Sequence, residues 1–442
     1  MLVAAVAALG SGGVLLFGSY GGHDGGSSIR AAAVKAGARA STDQSSLGNL
    51  LAGFSTGDTA GYVRSLERRI AVSPGDGETL TLLGLAYQQR ARETGDPTFY
   101  RLSGEALRRA AAAHGPRALV VQAEASLANT RHRFGSGLAL GRRAVRLDPE
   151  NASAYGALGD ALLNLGRYRP AFAAYDRMAV LAPGIAAFVR VASARELLGN
   201  PDGAIEALRL ALEADSTVPE QVAWTRVQLG NVYFNTGRLD RAETAYRAAL
   251  RRLPGYVHAE AGLARVEAAR GRYSAAARRL RRVVGELPIP AYAILLGDVL
   301  RASGERAGAA REYALVGAIE RLFAANGVRT ELQTALFDVD HARNVRAALA
   351  RARAAHAAAP GIYADDAIAW GLWRTGRCGA AREHSIRALR LGTRDALLLF
   401  HRGMIERCLG DRRAARSFLG RALAINPHFS LLWAPVARRA LR

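Results

Sequence analysis

The stretch DVDH, Asp338 to His341, sets two carboxylates and an imidazole side by side, residue types that can ligate a cation. It falls where a predicted helix ends, and acids and histidine are common there as turn residues, so no metal is expected. GSGLALG at 135–141 approaches a glycine-rich phosphate loop, yet it lands on a turn between two helices and completes no GxGxxG. His114, His132, His258, His356, His384, His401 and His428 form no ligand spacing. P-loop, HExxH and GxSxG motifs are absent. The two cysteines, Cys378 and Cys408, form no CxxC, which argues against a structural zinc site. The residues thus predict no catalytic group, no metal and no cofactor, and function is expected to lie in a surface.

The elements carrying that surface are helical. Half of the chain is hydrophobic (50%) but only 7% is aromatic, because alanine supplies much of the apolar content. Small apolar residues with few β-branched runs suit closely packed helices. The punctuation is periodic. Pro149 to Pro183, Pro254 to Pro288, Gly237 to Gly271 and Gly376 to Gly410 are each 34 residues apart. LGNVYFNTGRLDRAETAYRAALRRLPG at 229–255 is one copy, with Leu229, Gly230, Tyr233, Ala242, Tyr246, Ala249 and Pro254 at fixed offsets. Another copy holds Tyr155, Leu158, Gly159, Ala171, Tyr175 and Pro183. Gly230 and Ala242 are small enough to let two helices approach, Gly237 suits a tight turn, and Pro254 cannot continue a helix.

This pattern resembles the tetratricopeptide repeat from about residue 43 to the end of the chain. The resemblance implies an all-α, right-handed superhelical solenoid of antiparallel helix hairpins, about eleven repeats over 43–429, with a capping helix over 430–442. Departures from the pattern carry their own expectations. The stretch near residues 90–113 lengthens its hairpin and leaves Gly95-Asp96-Pro97 in a connection. EADSTVPEQ at 213–221 is read as lengthening a second helix. Residues 311–327 read as one long helix, and Gly392 replaces the expected proline. In SLLWAPVARRALR, Leu431, Leu432 and Val436 are expected to cover the last core face.

The first helices of such repeats line a concave groove for a peptide or an element of another protein. Counting from each Leu-Gly pair, groove positions are Asp160 and Asn164, then Trp224, Gln228, Asn231 and Asn235, then Asp298 and Arg301. The family's clamp of lysine and asparagine on a terminal carboxylate is matched only at Asn231, since its equivalents are Asp160 and Asp298 and the sole lysine is Lys35. Trp224 is expected either to anchor a partner or to hold the 213–221 connection in place. Cys378 and Cys408 fall at neighbouring points of a stacked array, where they form a disulfide in an oxidising compartment or stay two buried thiols.

The net charge of +22 is carried almost wholly by arginine. It reads either as solvated helix faces or as a surface for a polyanion such as a cell-wall polymer or nucleic acid. No basic surface interleaved with aromatics is present, so nucleic acid is not the expected partner. Residues 1–20 read as an apolar signal or anchor segment without a basic start, and 21–42 as a Gly/Ser linker. The C-terminal stretches IYADDAIAWGLWRTGR and RDALLLFHRGMIERCLGD are similar to those of bacterial secreted repeat proteins. The expectation is an extracytoplasmic protein, secreted, periplasmic or membrane-tethered through its N-terminal segment, that acts as a scaffold or as a non-catalytic subunit of an enzyme complex.

Overall fold

The computed structural model describes residues 58–214 and 218–442. The apolar start, the linker and the solenoid's first residues, 43–57, lie outside them. Among the described residues every regular element is a helix. A single helix, α1 (Thr59–Val72), precedes ten hairpins. The first five pair α2 (Gly77–Thr94) with α3 (Thr98–Ala112), α4 (Arg117–Thr130) with α5 (Phe134–Leu147), α6 (Ala152–Asn164) with α7 (Tyr168–Leu181), α8 (Ile185–Leu197) with α9 (Pro201–Glu213), and α10 (Pro219–Asn235) with α11 (Leu239–Arg252). The second five pair α12 (Val257–Ala269) with α13 (Tyr273–Glu286), α14 (Pro290–Ala302) with α15 (Arg306–Ala325), α16 (Glu331–Asp340) with α17 (Val345–Ala358), α18 (Ile362–Arg374) with α19 (Cys378–Ala388), and α20 (Ala396–Cys408) with α21 (Arg412–Ile425). The chain closes on α22 (Ala434–Leu441), so it is an all-α helical-repeat solenoid.

Local chemistry explains the boundaries. Asp76, Asn151, Asn200 and Asp411 each accept a hydrogen bond from a first-turn amide, which satisfies donors a helix start leaves open. Pro201, Pro219 and Pro290 sit at helix starts, where a missing N–H costs nothing. The small residue of the Leu-Gly pair proves to be a packing requirement. A methyl group on Gly230 would lie 2.5 Å from the Tyr246 ring, and one on Gly262, in the next hairpin, also 2.5 Å from it. Tyr246 is fully buried between the two hairpins.

Two departures resolve differently from the sequence reading. α9 ends at Glu213, and it is the first helix of the next hairpin, α10, that is extended to 17 residues from Pro219. Proline is favoured at a helix start and breaks a helix end, so the added residues join the helix that Pro219 opens. Near the C-terminus, Trp433 and Val436 pack against the last core, whereas Leu431 packs against a different cluster built from α2–α4 and α12–α16. α15 runs unbroken over 20 residues, as its sequence suggests.

Candidate functional site

Three tyrosines of second helices make the same contact. Tyr175 donates to Asp160 (3.0 Å), Tyr246 to Asn231 (2.8 Å) and Tyr313 to Asp298 (2.8 Å), each across 15 positions. The same acceptor then takes a bond from further along the chain: Arg190 for Asp160 (2.9 and 2.8 Å), Arg265 for Asn231 (3.2 Å) and His341 for Asp298 (2.7 Å). The residue after each of these three Leu-Gly pairs is therefore a buckle that ties its own hairpin to a later one. Asp160 and Arg190 keep only 5% and 10% of their side chains exposed.

This corrects part of the groove assignment. Asp160, Asn164, Trp224, Gln228 and Asn235 line the solenoid's interior cavity, but Asn231, Asp298 and Arg301 do not. Asn231 and Asp298 have their oxygens turned into the hairpin interface by tyrosine donors, and Arg301 lies exposed at the end of α14. The residues of DVDH diverge likewise. Asp338 pairs with Arg351, Asp340 accepts from the indoles of Trp370 (2.8 Å) and Trp433 (3.0 Å), and His341 turns to Asp298. Cys378 and Cys408 are joined by a disulfide, with Cα atoms 6.2 Å apart.

The cavity owes its enclosure to contacts that periodicity does not encode. The solenoid meets itself, and the turn inside each of the first five hairpins touches the chain leaving the hairpin five places later. A methyl on Gly95 would strike Leu287 of the α13–α14 connection. His132 contacts the carbonyl oxygen of Arg329, between α15 and α16. Tyr168 accepts from the amide of Ile362 (2.8 Å) at the start of α18. A methyl on Gly199 would lie 2.4 Å from the carbonyl oxygen of Gly392. Asn426 donates to the carbonyl oxygen of Phe234 (2.9 Å). The three hydrogen-bonded pairs are 197, 194 and 192 residues apart, a little under six repeats. The concave side becomes an interior cavity of about 1320 Å³.

Its wall mixes apolar, aromatic and charged groups. Trp224 and Tyr256 each meet His258 in an edge-to-face arrangement, with centroids 5.2 Å apart in both pairs. Tyr256 donates to Glu220 (2.7 Å). Asn235 donates to Glu196 (2.9 Å). Arg265 stacks over Phe234 at 4.0 Å. Burial dominates the ionisation here: it holds His258 down at about 4, lowers Arg265, and raises Glu196 and Glu220 above ordinary carboxylate values. Gln228 is 9% exposed and its Nε2 has no hydrogen-bond partner. Seven carboxylates face six guanidinium groups along the wall, so the surplus of the +22 net charge lies elsewhere.

Family models described as tetratricopeptide repeat match residues 124–184, 185–255 and 227–288. Among curated proteins none matches the chain. Among solved structures, the type IV pilus biogenesis factor PilW is similar at 17% identity and a TM-score of 0.39, over 46% of this chain and 94% of that one. YrrB, described as a tetratricopeptide-repeat protein with an unusual peptide-binding site, is similar at 22% identity and a TM-score of 0.28, over 39% and 87%. The Cut9–Hcn1 assembly of APC/C matches at 12% identity and a TM-score of 0.33, over 94% and 99%.

Proposed function

This chain is a tetratricopeptide-repeat protein, and on that premise we propose that it is a non-catalytic scaffold that holds an extended polypeptide segment of a partner inside its solenoid. The observation that carries this reading is the interior cavity. Its volume exceeds the roughly 300–1,000 Å³ typical of small-molecule pockets, and rings and amides from several repeats face it in sequence. The near balance of charge along the wall favours a peptide of mixed composition over a polyanion, which would meet as many carboxylates as arginines there. Gln228 belongs to this wall and its buried Nε2 is unpaired, so a turn of its side chain would offer that donor to a backbone carbonyl of such a segment.

The scaffold is proposed to work outside the cytoplasm. The Cys378–Cys408 disulfide supports an oxidising compartment, and the apolar first residues fit a signal or anchor. The test is to pan a random linear-peptide display library against the full chain and measure the selected peptides against Gln228→Ala and Trp224→Ala. Affinity falling about tenfold in both variants, with thermal stability nearly unchanged, supports the reading. Selected peptides that ignore both substitutions would refute it.

A further inference from the structure

The line along which the solenoid meets itself differs from the packing between neighbouring hairpins. Neighbours are joined by apolar clusters; one of them, built on Tyr233, Tyr246 and Val266, runs through α8 to α12. Across the self-contact, among the described residues, only one cluster joins early and late hairpins. It unites Leu85, Tyr100 and Leu127 with Leu287, Ile289 and Val328. This apolar weld covers the first two hairpin turns.

Over the third, fourth and fifth turns the contact is polar and thin. Outside the weld, the clusters of α5 to α12 include no residue from α16 to α21, and those of α16 to α22 include none from α5 to α12. Among the described residues, what crosses includes the bond from Ile362 to Tyr168, Arg390 over the Tyr168 ring at 5.3 Å, the close approaches of Gly166 to Pro360, Gly199 to Gly392 and Gly237 to Ile425 and Pro427, and the bond from Asn426 to Phe234. Each hydrogen bond is worth only about 1 kcal/mol net. Cooperative units held by few apolar contacts open well below the free energy of global unfolding.

We propose that this polar seam is a gate. The two superhelical turns part along hairpins three to five, hinging on the apolar weld, while every hairpin stays folded. A closed tube would have to be threaded by a free chain end. A seam that opens lengthwise admits an internal segment of a partner from the side and closes over it. The inference rests on the peptide-holding reading for its purpose, but the gate itself is tested without any ligand.

Hydrogen exchange on the full chain provides the test, because the seam contains backbone donors at both ends. Ile362 donates across its polar stretch, and Arg329 donates to the carbonyl of Arg131 (3.3 Å) beside the weld. The Ile362 amide is expected to exchange at least tenfold faster than Arg329 and than the interior of α18. Asn426→Ala, remote from Ile362, should speed Ile362 about fivefold and leave the interiors of α10 and α18 unchanged. Asn426 also caps its own loop by accepting from the amide of His428. Gly199→Ala therefore serves as a second variant, wedging a methyl against Gly392 with the same expected result. Protection of Ile362 equal to that of the α18 interior overturns the gate. So does acceleration of the seam and the helix interiors by the same factor. A failure of peptide binding alone leaves these exchange rates untouched, so the two readings fail separately.

Discussion

The amide of Ile362, the first residue of α18, donates to the phenolic oxygen of Tyr168, the first residue of α7, across 194 positions of chain. A helix start leaves its first amides without partners in its own helix. Here the donor is satisfied by the preceding superhelical turn, so the N-terminus of α18 is completed only when the solenoid meets itself.

Gly166, two residues before Tyr168, separates the cost of a turn from the cost of that meeting. Gly166 and Gly271 occupy equivalent turns with φ of 70° and 76°, a region that penalises any side chain. A methyl on Gly166 would also lie 2.4 Å from the carbonyl oxygen of Pro360, whereas one on Gly271 meets nothing within 4 Å. Gly271→Ala should lower stability by about 1 kcal/mol and leave the shape unchanged. Gly166→Ala should cost more and enlarge the radius of gyration seen by solution X-ray scattering. Equal effects on shape would show that the turns do not touch in solution.

The buckle residues should separate structure from binding. Asp160→Ala strands the Arg190 guanidinium in a mostly buried site and should cost about 3 kcal/mol, measured by denaturant unfolding. Asn231→Ala removes the acceptor shared by Tyr246 and Arg265 and should cost about 1–2 kcal/mol. Gln228→Ala deletes an amide whose nitrogen has no partner and should change stability by less than about 0.5 kcal/mol. A large loss at Gln228 would assign it to the frame.

The repeat itself was legible because its signals are local. The 34-residue spacing, the Leu-Gly pairs and the terminating prolines each act within one hairpin or between neighbours. Faces were less legible. Asn231 and Asp298 sit at positions that helical counting turns inward, and only the tyrosine 15 residues later decides that they face the hairpin interface, whereas Asp160, bonded to its tyrosine in the same way, still borders the cavity. That pairing could have been found by asking which hydroxyl reaches each polar residue after a Leu-Gly pair. The closure was not legible. The angle added per hairpin is set by side-chain packing, and pairs such as Asn426 and Phe234 carry no mark at a separation of 192.

The disulfide ties the start of α19 to the end of α20, closing a loop over a sequence separation of 30. A cross-link of that span constrains the unfolded chain by about 3.6 kcal/mol in the loop-entropy view. Cys378→Ser with Cys408→Ser, or dithiothreitol on the native chain, should lower the Tm by several degrees through early loss of α18–α21. A Tm unaffected by reductant would mean that the bond does not form in solution.

His258 gives the expected pH dependence. Trp224, Tyr256 and Tyr292 surround it, and burial alone holds its pKa at about 4, against about 6.5 when unfolded. Between those values the unfolded chain binds the extra proton, so stability rises with pH through the window and is lost as pH falls. The loss should reach about 2 kcal/mol by pH 5. His341 acts with the opposite sign. Burial disfavours its charged ring, but the Asp298 carboxylate outweighs this and raises its pKa, so its contribution is held at low pH and lost on the alkaline side. Urea unfolding at pH 7 and pH 5 should therefore show a midpoint drop that His258→Gln largely abolishes. The same substitution should leave the neutral-pH value lower, because the His258 ring nitrogen bonded to the Tyr292 hydroxyl is lost. A wild-type midpoint that stays flat down to pH 5, with the His258→Gln variant equally flat, would mean that His258 titrates near its ordinary value and that its ring is open to water from the cavity.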